Sequence, residues 1–163
     1  MKKLIHLTFV CSLLIYFSAC TGYVPIYSST NFNFKIEEYS IKGEERLANL
    51  IYNKINYISL ANKENPTAQT MNLSIETKKE KKSTVKNSAG KILEYEISLN
   101  SHVIINDSLT DKKLLDHNFN YSNSYKVQSE HSETLKLEDK NIQNLIDKTY
   151  ENLLIKISEI NIK

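Results

Sequence analysis

Few side chains in this chain stand in a pattern that could do chemistry, and the most telling of them is a thiol. Cys20 follows Ser18-Ala19, which closes an apolar run from Leu4 to Phe17 broken only by His6, Thr8 and Ser12. Met1-Lys2-Lys3 gives that run a positive start. A positive start, a short apolar stretch and small residues at its end have the shape of a secretory signal peptide. The stretch is shorter than the roughly 20 residues a helix needs to cross a bilayer. Cutting before Cys20 therefore leaves no spanning helix and places the thiol at the new N-terminus.

Phe17-Ser18-Ala19-Cys20 resembles the lipobox of bacterial prolipoproteins, with Phe17 in place of the usual Leu. That resemblance implies that Cys20 is the lipid anchor, carrying a covalent diacylglycerol and an N-acyl chain. Cys11 leaves with residues 1–19 and Cys20 is consumed by lipid, so no thiol remains for a disulfide or for redox chemistry. Lys2 and Lys3 also leave. The 21 basic residues fall to 19, matching the 19 acidic ones. A neutral mature chain lacks the basic excess that nucleic-acid binding requires, despite a pI near 8.4.

Catalysis needs a constellation, and none is present. The sequence contains no Gly-x-Ser-x-Gly elbow, phosphate loop or His-Glu-x-x-His, and its three glycines are too scattered to cradle a nucleotide. The remaining histidines are His102, His117 and His131. His102 and His117 fall on neighbouring strands, but aligning the apolar faces turns them to opposite sides, which argues against a shared metal. The expectation is a protein that is not an enzyme and holds no metal or cofactor.

The elements that must position these residues follow from periodicity. Residues 20–31 form a lipid-anchored segment, and residues 32–163 have the length of a single domain. Phe32, Phe34 and Ile36 alternate with polar neighbours, predicting a strand over 32–39. Leu47, Leu50, Ile51, Ile55 and Ile58 keep helical spacing, with Glu44 and Glu45 at the helix start, predicting a helix over 44–60. Leu73 and Ile75 mark a short second strand, and Asn87-Ser88-Ala89-Gly90 reads as a turn. Strands over 91–105 and 115–127 then form a long antiparallel hairpin. From Glu133 onward, Leu135, Ile142, Leu145, Ile146, Tyr150, Leu153, Leu154 and Ile157 form a continuous helical stripe.

The order is β-α-β-β-β-α. Strands with one apolar face and helices with one apolar stripe pack most economically as an α+β two-layer sandwich: a mainly antiparallel four-stranded sheet with both helices on one side. The other sheet face, carrying Glu94, Glu96, Ser98 and Asn100 and then Asn118, Asn120, Ser122 and Ser124, is left for solvent or a partner.

This order, the size, and the opening Cys20-Thr21-Gly22-Tyr23-Val24-Pro25-Ile26-Tyr27 resemble the lipopolysaccharide-assembly lipoprotein family LptE, whose opening is Cys-Gly-Phe-x-Pro-Leu-Tyr. Thr21 is an insertion relative to that pattern. The resemblance implies an outer-membrane lipoprotein on the periplasmic side that assembles with, and plugs, the β-barrel LptD for lipopolysaccharide transport. Thr21 fits, since Asp at that position marks lipoproteins kept at the inner membrane. A neutral, polar-surfaced domain suits the polar interior of a barrel.

Two further groups of residues are candidates on chemical grounds. Lys78, Lys79, Lys81 and Lys82, expected at the tip between the second and third strands, are either a solvated charge run or a contact for lipopolysaccharide phosphates. Tyr23 and Tyr27 are either partner anchors or pins for their own domain. Competing readings of the whole chain are another envelope lipoprotein, either an activator or pilotin of a membrane assembly, or a lipid-binding carrier.

Overall fold

A computed structural model describes residues 32–160. The elements run β1 (Phe34–Gly43), α1 (Glu45–Ala61), β2 (Gln69–Lys86), β3 (Ile92–Asp107), β4 (Lys113–Lys126) and α2 (His131–Ile160). The expected β-α-β-β-β-α order and α+β class are both present. The strands lie side by side in chain order, β2-β3-β4 antiparallel and β1 parallel to β2. The parallel pair follows from α1, which carries the chain back along the sheet between β1 and β2.

The core lies between the sheet and the helices. Met71, Leu73 and Ile75 of β2, Ile97, Leu99, Val103 and Ile105 of β3, and Phe119 of β4 face Leu47, Ile51 and Ile55 of α1 and Leu145, Ile146, Leu153 and Leu154 of α2, all of them buried. Each such side chain contributes about 1.5–3 kcal/mol through burial. Thr77 and Ser101 are buried among them on β2 and β3, and their hydroxyls satisfy one another at 3.2 Å.

The first strand is longer than its alternation suggests, because it contains a bulge. Phe34 and Ile36 face the helices, but Glu37-Glu38 interrupts the pattern, and the register shifts between Ile36 and Tyr39. After the extra residue Tyr39 and Ile41 occupy the inward positions, opposite Leu73 and Ile75. Tyr39 then stacks on Tyr52 of α1 with ring centroids 4.0 Å apart. Just before the bulge, the Ile36 N–H donates to Ser59 Oγ of α1 at 2.8 Å, so a backbone donor that lacks a strand partner is satisfied from the helix layer.

Gly43 ends β1 with φ at +76°, and a Cβ there would stand 2.2 Å from the Thr77 carbonyl oxygen. That close approach lets Glu44 N–H donate to the same oxygen at 2.7 Å and aims the chain into α1.

The second strand corrects the expected boundary most. It runs on through the lysines to Lys86, pairing residue by residue with β3 as far as Ser83 opposite Tyr95 and, after two register shifts, ending with Lys86 opposite Ile92. The lysines therefore lie within a strand, not at a tip. At roughly 60 Å for its 18 residues, β2 outruns the roughly 45 Å of the 30-residue α2. The turn itself is at Asn87–Gly90 as expected: Asn87 Oδ1 accepts from the N–H groups of Ala89 and Lys91, and Gly90 takes φ +78°.

Candidate functional site

Cys20, Tyr23 and Tyr27 lie outside the described residues. The lysines do not. Because side chains alternate across a strand, the run divides between two faces. Lys78 and Lys82 stand opposite Asn100 and Glu96 on the outer, helix-free face, while Lys79 and Lys81 stand opposite Leu99 and Ile97 on the inner one. The structure thus does not gather the four ammonium groups into one patch.

Nor are most of them unpaired. Lys78 Nζ lies 3.0 Å from Glu76 and Lys82 Nζ 2.7 Å from Glu96. The hydrogen bond from Lys78 holds the Glu76 carboxyl below its ordinary pKa, and the bond to Glu96 raises that of Lys82.

Lys81 is placed quite differently. Its ammonium is 2.5 Å from Glu138 of α2 and 4.3 Å from the centroid of the Tyr95 ring, while Tyr125 donates its hydroxyl to the same carboxylate at 2.9 Å. Burial pushes the Glu138 carboxyl up, but the bonds from Lys81 and Tyr125 outweigh it and the net shift is downward. Lys81 is a clamp between sheet and helix. The sequence signal for that role was weak, because Glu138 lies 57 residues further along the chain.

The outer sheet face is as expected. Glu94, Glu96, Ser98, Asn100 and His102 of β3 stand opposite Lys126, Ser124, Ser122, Asn120 and Asn118 of β4. Small hydroxyls and amides alternate there with paired charges. His102 Nε2 lies 2.7 Å from Asp116, which also accepts from Lys113 at 2.7 Å, and these bonds, Lys113 first, hold the Asp116 carboxyl low. His117 is on the opposite side, opposite Val103, with its ring 4.6 Å from Phe119. The two histidines are separated by the sheet.

One feature has no counterpart in the sequence pattern. At the end of the sandwich where β1 begins and α2 ends, a cavity of about 690 Å³ is lined by Asn33, Gln69, Lys112, Leu115, Lys156 and Ile160, among others. Its walls come from several separate elements, so no local pattern announces it. Among the described residues no helix is long and apolar enough to cross a membrane.

The architecture defines a class of two-layer α+β domain that has been seen before. One solved structure, of an uncharacterized lipoprotein B from Nitrosomonas europaea, superposes with a TM-score of 0.59 at 11% identity, covering 86% of this chain and 93% of that one. A candidate lipoprotein from Caulobacter crescentus superposes at 0.56 and 11% identity, covering 80% of this chain and 92% of its own. The fold of this chain is therefore one used by bacterial lipoproteins. Neither a protein-family model nor a curated protein sequence matches it.

Proposed function

We propose that this chain is an outer-membrane lipoprotein of the LptE kind, anchored through lipid on Cys20, which assembles with and plugs an LptD-like barrel for lipopolysaccharide transport. The observation that carries the proposal is the fold, shared with two solved lipoproteins over most of their length, behind a lipobox-like Cys20 and the Gly22–Tyr27 opening. The outer sheet face supports it, since polar side chains and neutralised charges on a rigid sheet suit a water-lined barrel interior. Its role is to fill and shape a channel; it is not an enzyme. The reading calls for no cofactor beyond the covalent lipid on Cys20.

Any direct contact with lipid A phosphates falls to Lys79 and to Lys78 and Lys82, whose side chains stay 70% and 71% exposed despite their pairing with Glu76 and Glu96, because Lys81 is held against the sheet by the largely buried Glu138. Replacing Lys78, Lys79 and Lys82 by Gln should weaken lipopolysaccharide binding without unfolding the chain; unchanged binding removes them from the account.

The second reading, a lipid-binding carrier, is favoured by the cavity of about 690 Å³, where Leu114, Leu115 and Ile160 meet Lys112 and the ion pair of Lys156 with Glu159. Co-purification from envelope membranes separates the readings. One very large barrel protein supports the plug, bound lipid alone supports the carrier, and a cell-wall synthase or a different pore supports an activator or pilotin.

A further inference from the structure

Among the described residues, the sheet has two stretches of edge guarded against further pairing and one that is not. An unpaired edge presents a row of free N–H and C=O groups, which proteins blunt with charge, proline, bulges or short length. β1 carries the bulge after Ile36 and the charges of Lys35, Glu37, Glu38 and Lys42. β2, where it runs on beyond the end of β1, carries Lys78, Lys79, Lys81, Lys82 and Lys86. β4 has none of these devices. It is 14 residues long, against the usual range of about 3–10, and pairs with β3 without a register shift from Leu115 to Lys126. From His117 to Tyr125 it holds no Lys, Arg, Asp, Glu, Pro or Gly.

The free backbone groups of that edge can be named. The Val127 N–H donates to the Leu93 carbonyl of β3 at 2.9 Å, so odd-numbered residues of β4 bond to β3 and even-numbered ones turn their N–H and C=O away. Asp116, Asn118, Asn120, Ser122 and Ser124 are therefore the outward residues. All five are exposed, and no described strand lies beyond them. The Lys126 carbonyl ends the row, accepting from Gln128 Nε2 at 3.1 Å.

Charge selects the occupant. Two exposed lysines flank the row with no ion-pair partner among the described residues: Lys126 on the outer face, and Lys148 of α2, whose Nζ is 4.6 Å from the centroid of the Tyr121 ring on the inner side. The one carboxylate on the edge, Asp116, is already held by Lys113 and His102, each at 2.7 Å. A second copy of this chain paired antiparallel about the middle of β4 would bring two Lys148 ammonium groups towards one another. The better complement is acidic and comes from a different chain.

We infer that the free edge of β4 receives an extended acidic strand from another protein, with carboxylates set against Lys126 and Lys148. The backbone groups of Asn118, Asn120, Ser122 and Ser124 hold the strand, and the two lysines choose it. Tyr121, beneath Lys148, and Lys126 lie on opposite faces of β4. The two acids of an antiparallel partner therefore stand five residues apart, one on each face, with uncharged residues between them. A strand of this chemistry satisfies the edge whether or not it belongs to a barrel. Loss of the strand site leaves the proposed function standing, and loss of the barrel leaves the strand site.

The test is amide hydrogen exchange, read by NMR on the isotope-labelled full chain in detergent micelles. In the chain alone, the N–H groups of Asn118, Asn120, Ser122 and Ser124 should exchange freely, while those of Phe119, Tyr121 and Asn123 are protected by β3. An excess of acetyl-Glu-Thr-Thr-Val-Thr-Glu-Thr-Val-Thr-amide should slow the first set by about tenfold or more. The same peptide with Lys in place of both Glu should not. Asn120→Pro removes one outward N–H and spares the ladder to β3, since proline is tolerated where an edge strand faces solvent. It should abolish the slowing while Phe119 and Tyr121 stay protected. Lys126→Glu/Lys148→Glu should turn the preference to the lysine peptide, and it decides the matter alone if the proline variant does not fold. Outward amides already protected in the chain alone, no slowing by the acidic peptide, equal slowing by both peptides, or a preference that survives the charge reversal would each overturn the inference.

Discussion

Removing Glu138 should loosen α2 from the sheet, and the size of the effect follows from what is left behind. The Lys81 side chain is 33% exposed and that of Glu138 14%, with 2.5 Å between them. In Glu138→Leu, the Lys81 ammonium stays beside the Tyr95 ring and the Tyr125 hydroxyl loses its acceptor. Breaking a fully buried ion pair costs about 3–5 kcal/mol. Solvent reaches a third of Lys81, so a figure of about 2 kcal/mol is expected here. At roughly 4 °C per kcal/mol for a domain of this size, the melting midpoint should fall by about 8 °C. Lys81→Met should lose a similar amount. The double variant Lys81→Met/Glu138→Leu should return to within about 1 kcal/mol of the parent, because apolar side chains then fill the same space with no stranded charge.

Acid should act on the same pair. The Glu138 carboxyl is held below its ordinary value of 4.5, so its stabilisation is complete above about that pH and is lost as pH falls through the folded-state value. The gap between the parent and Glu138→Gln should therefore close on acidification below about pH 4.5. Urea denaturation of the five chains (parent, Glu138→Leu, Lys81→Met, the double variant and Glu138→Gln) at pH 7 and through that acid range reads all of this. A double variant as unstable as the sum of the two single ones would refute the reasoning.

Other consequences can be measured as directly. Gly43→Ala forces a left-handed backbone onto a residue with a Cβ and drives that Cβ to 2.2 Å from the Thr77 oxygen. Its cost should exceed about 2 kcal/mol in urea denaturation, against about 1 kcal/mol for Gly90→Ala, which shares the left-handed backbone at φ +78° but whose Cβ meets nothing within 4 Å. Thr77→Val strands the buried Ser101 hydroxyl and should cost about 1–3 kcal/mol, while Thr77→Val/Ser101→Ala should recover most of it. Cys20→Ala should leave a folded chain by circular dichroism. On fractionation that chain should be lost from membranes lacking a barrel partner and kept where the partner is present, because stable anchoring by lipid alone requires its acyl chains.

How much of this was legible in the sequence depended on whether a pattern was local. The helices were readable because Ile51, Ile55 and Ile58, and Leu145, Ile146, Leu153 and Leu154, repeat at helical spacing and are the residues that are buried. The second half of β2 was not, since Lys78 to Lys86 have no apolar alternation and are held in the strand by backbone pairing to β3. The end of β1 was missed because a bulge reverses the inward parity at Glu37-Glu38, which looks like the end of a strand. For the candidate site, the opposite placement of His102 and His117 followed from the period of two. The separation of the four lysines onto two faces follows from the same rule, once the segment is known to be a strand. Lys81–Glu138 and the cavity near Lys156 join residues distant in the chain, and a single sequence carries no local sign of them.

The proposed function has a barrel protein enclosing this domain, with the outer sheet face as a contact. Photo-crosslinking in living cells from Asn118 and Asn120, both exposed on that face, tests it most directly. The account predicts that both positions give one adduct, with the same very large outer-membrane barrel protein, crosslinked at residues that line its lumen. Adducts only with lipid, only with a cell-wall synthase, or with no protein at all at either position would contradict it.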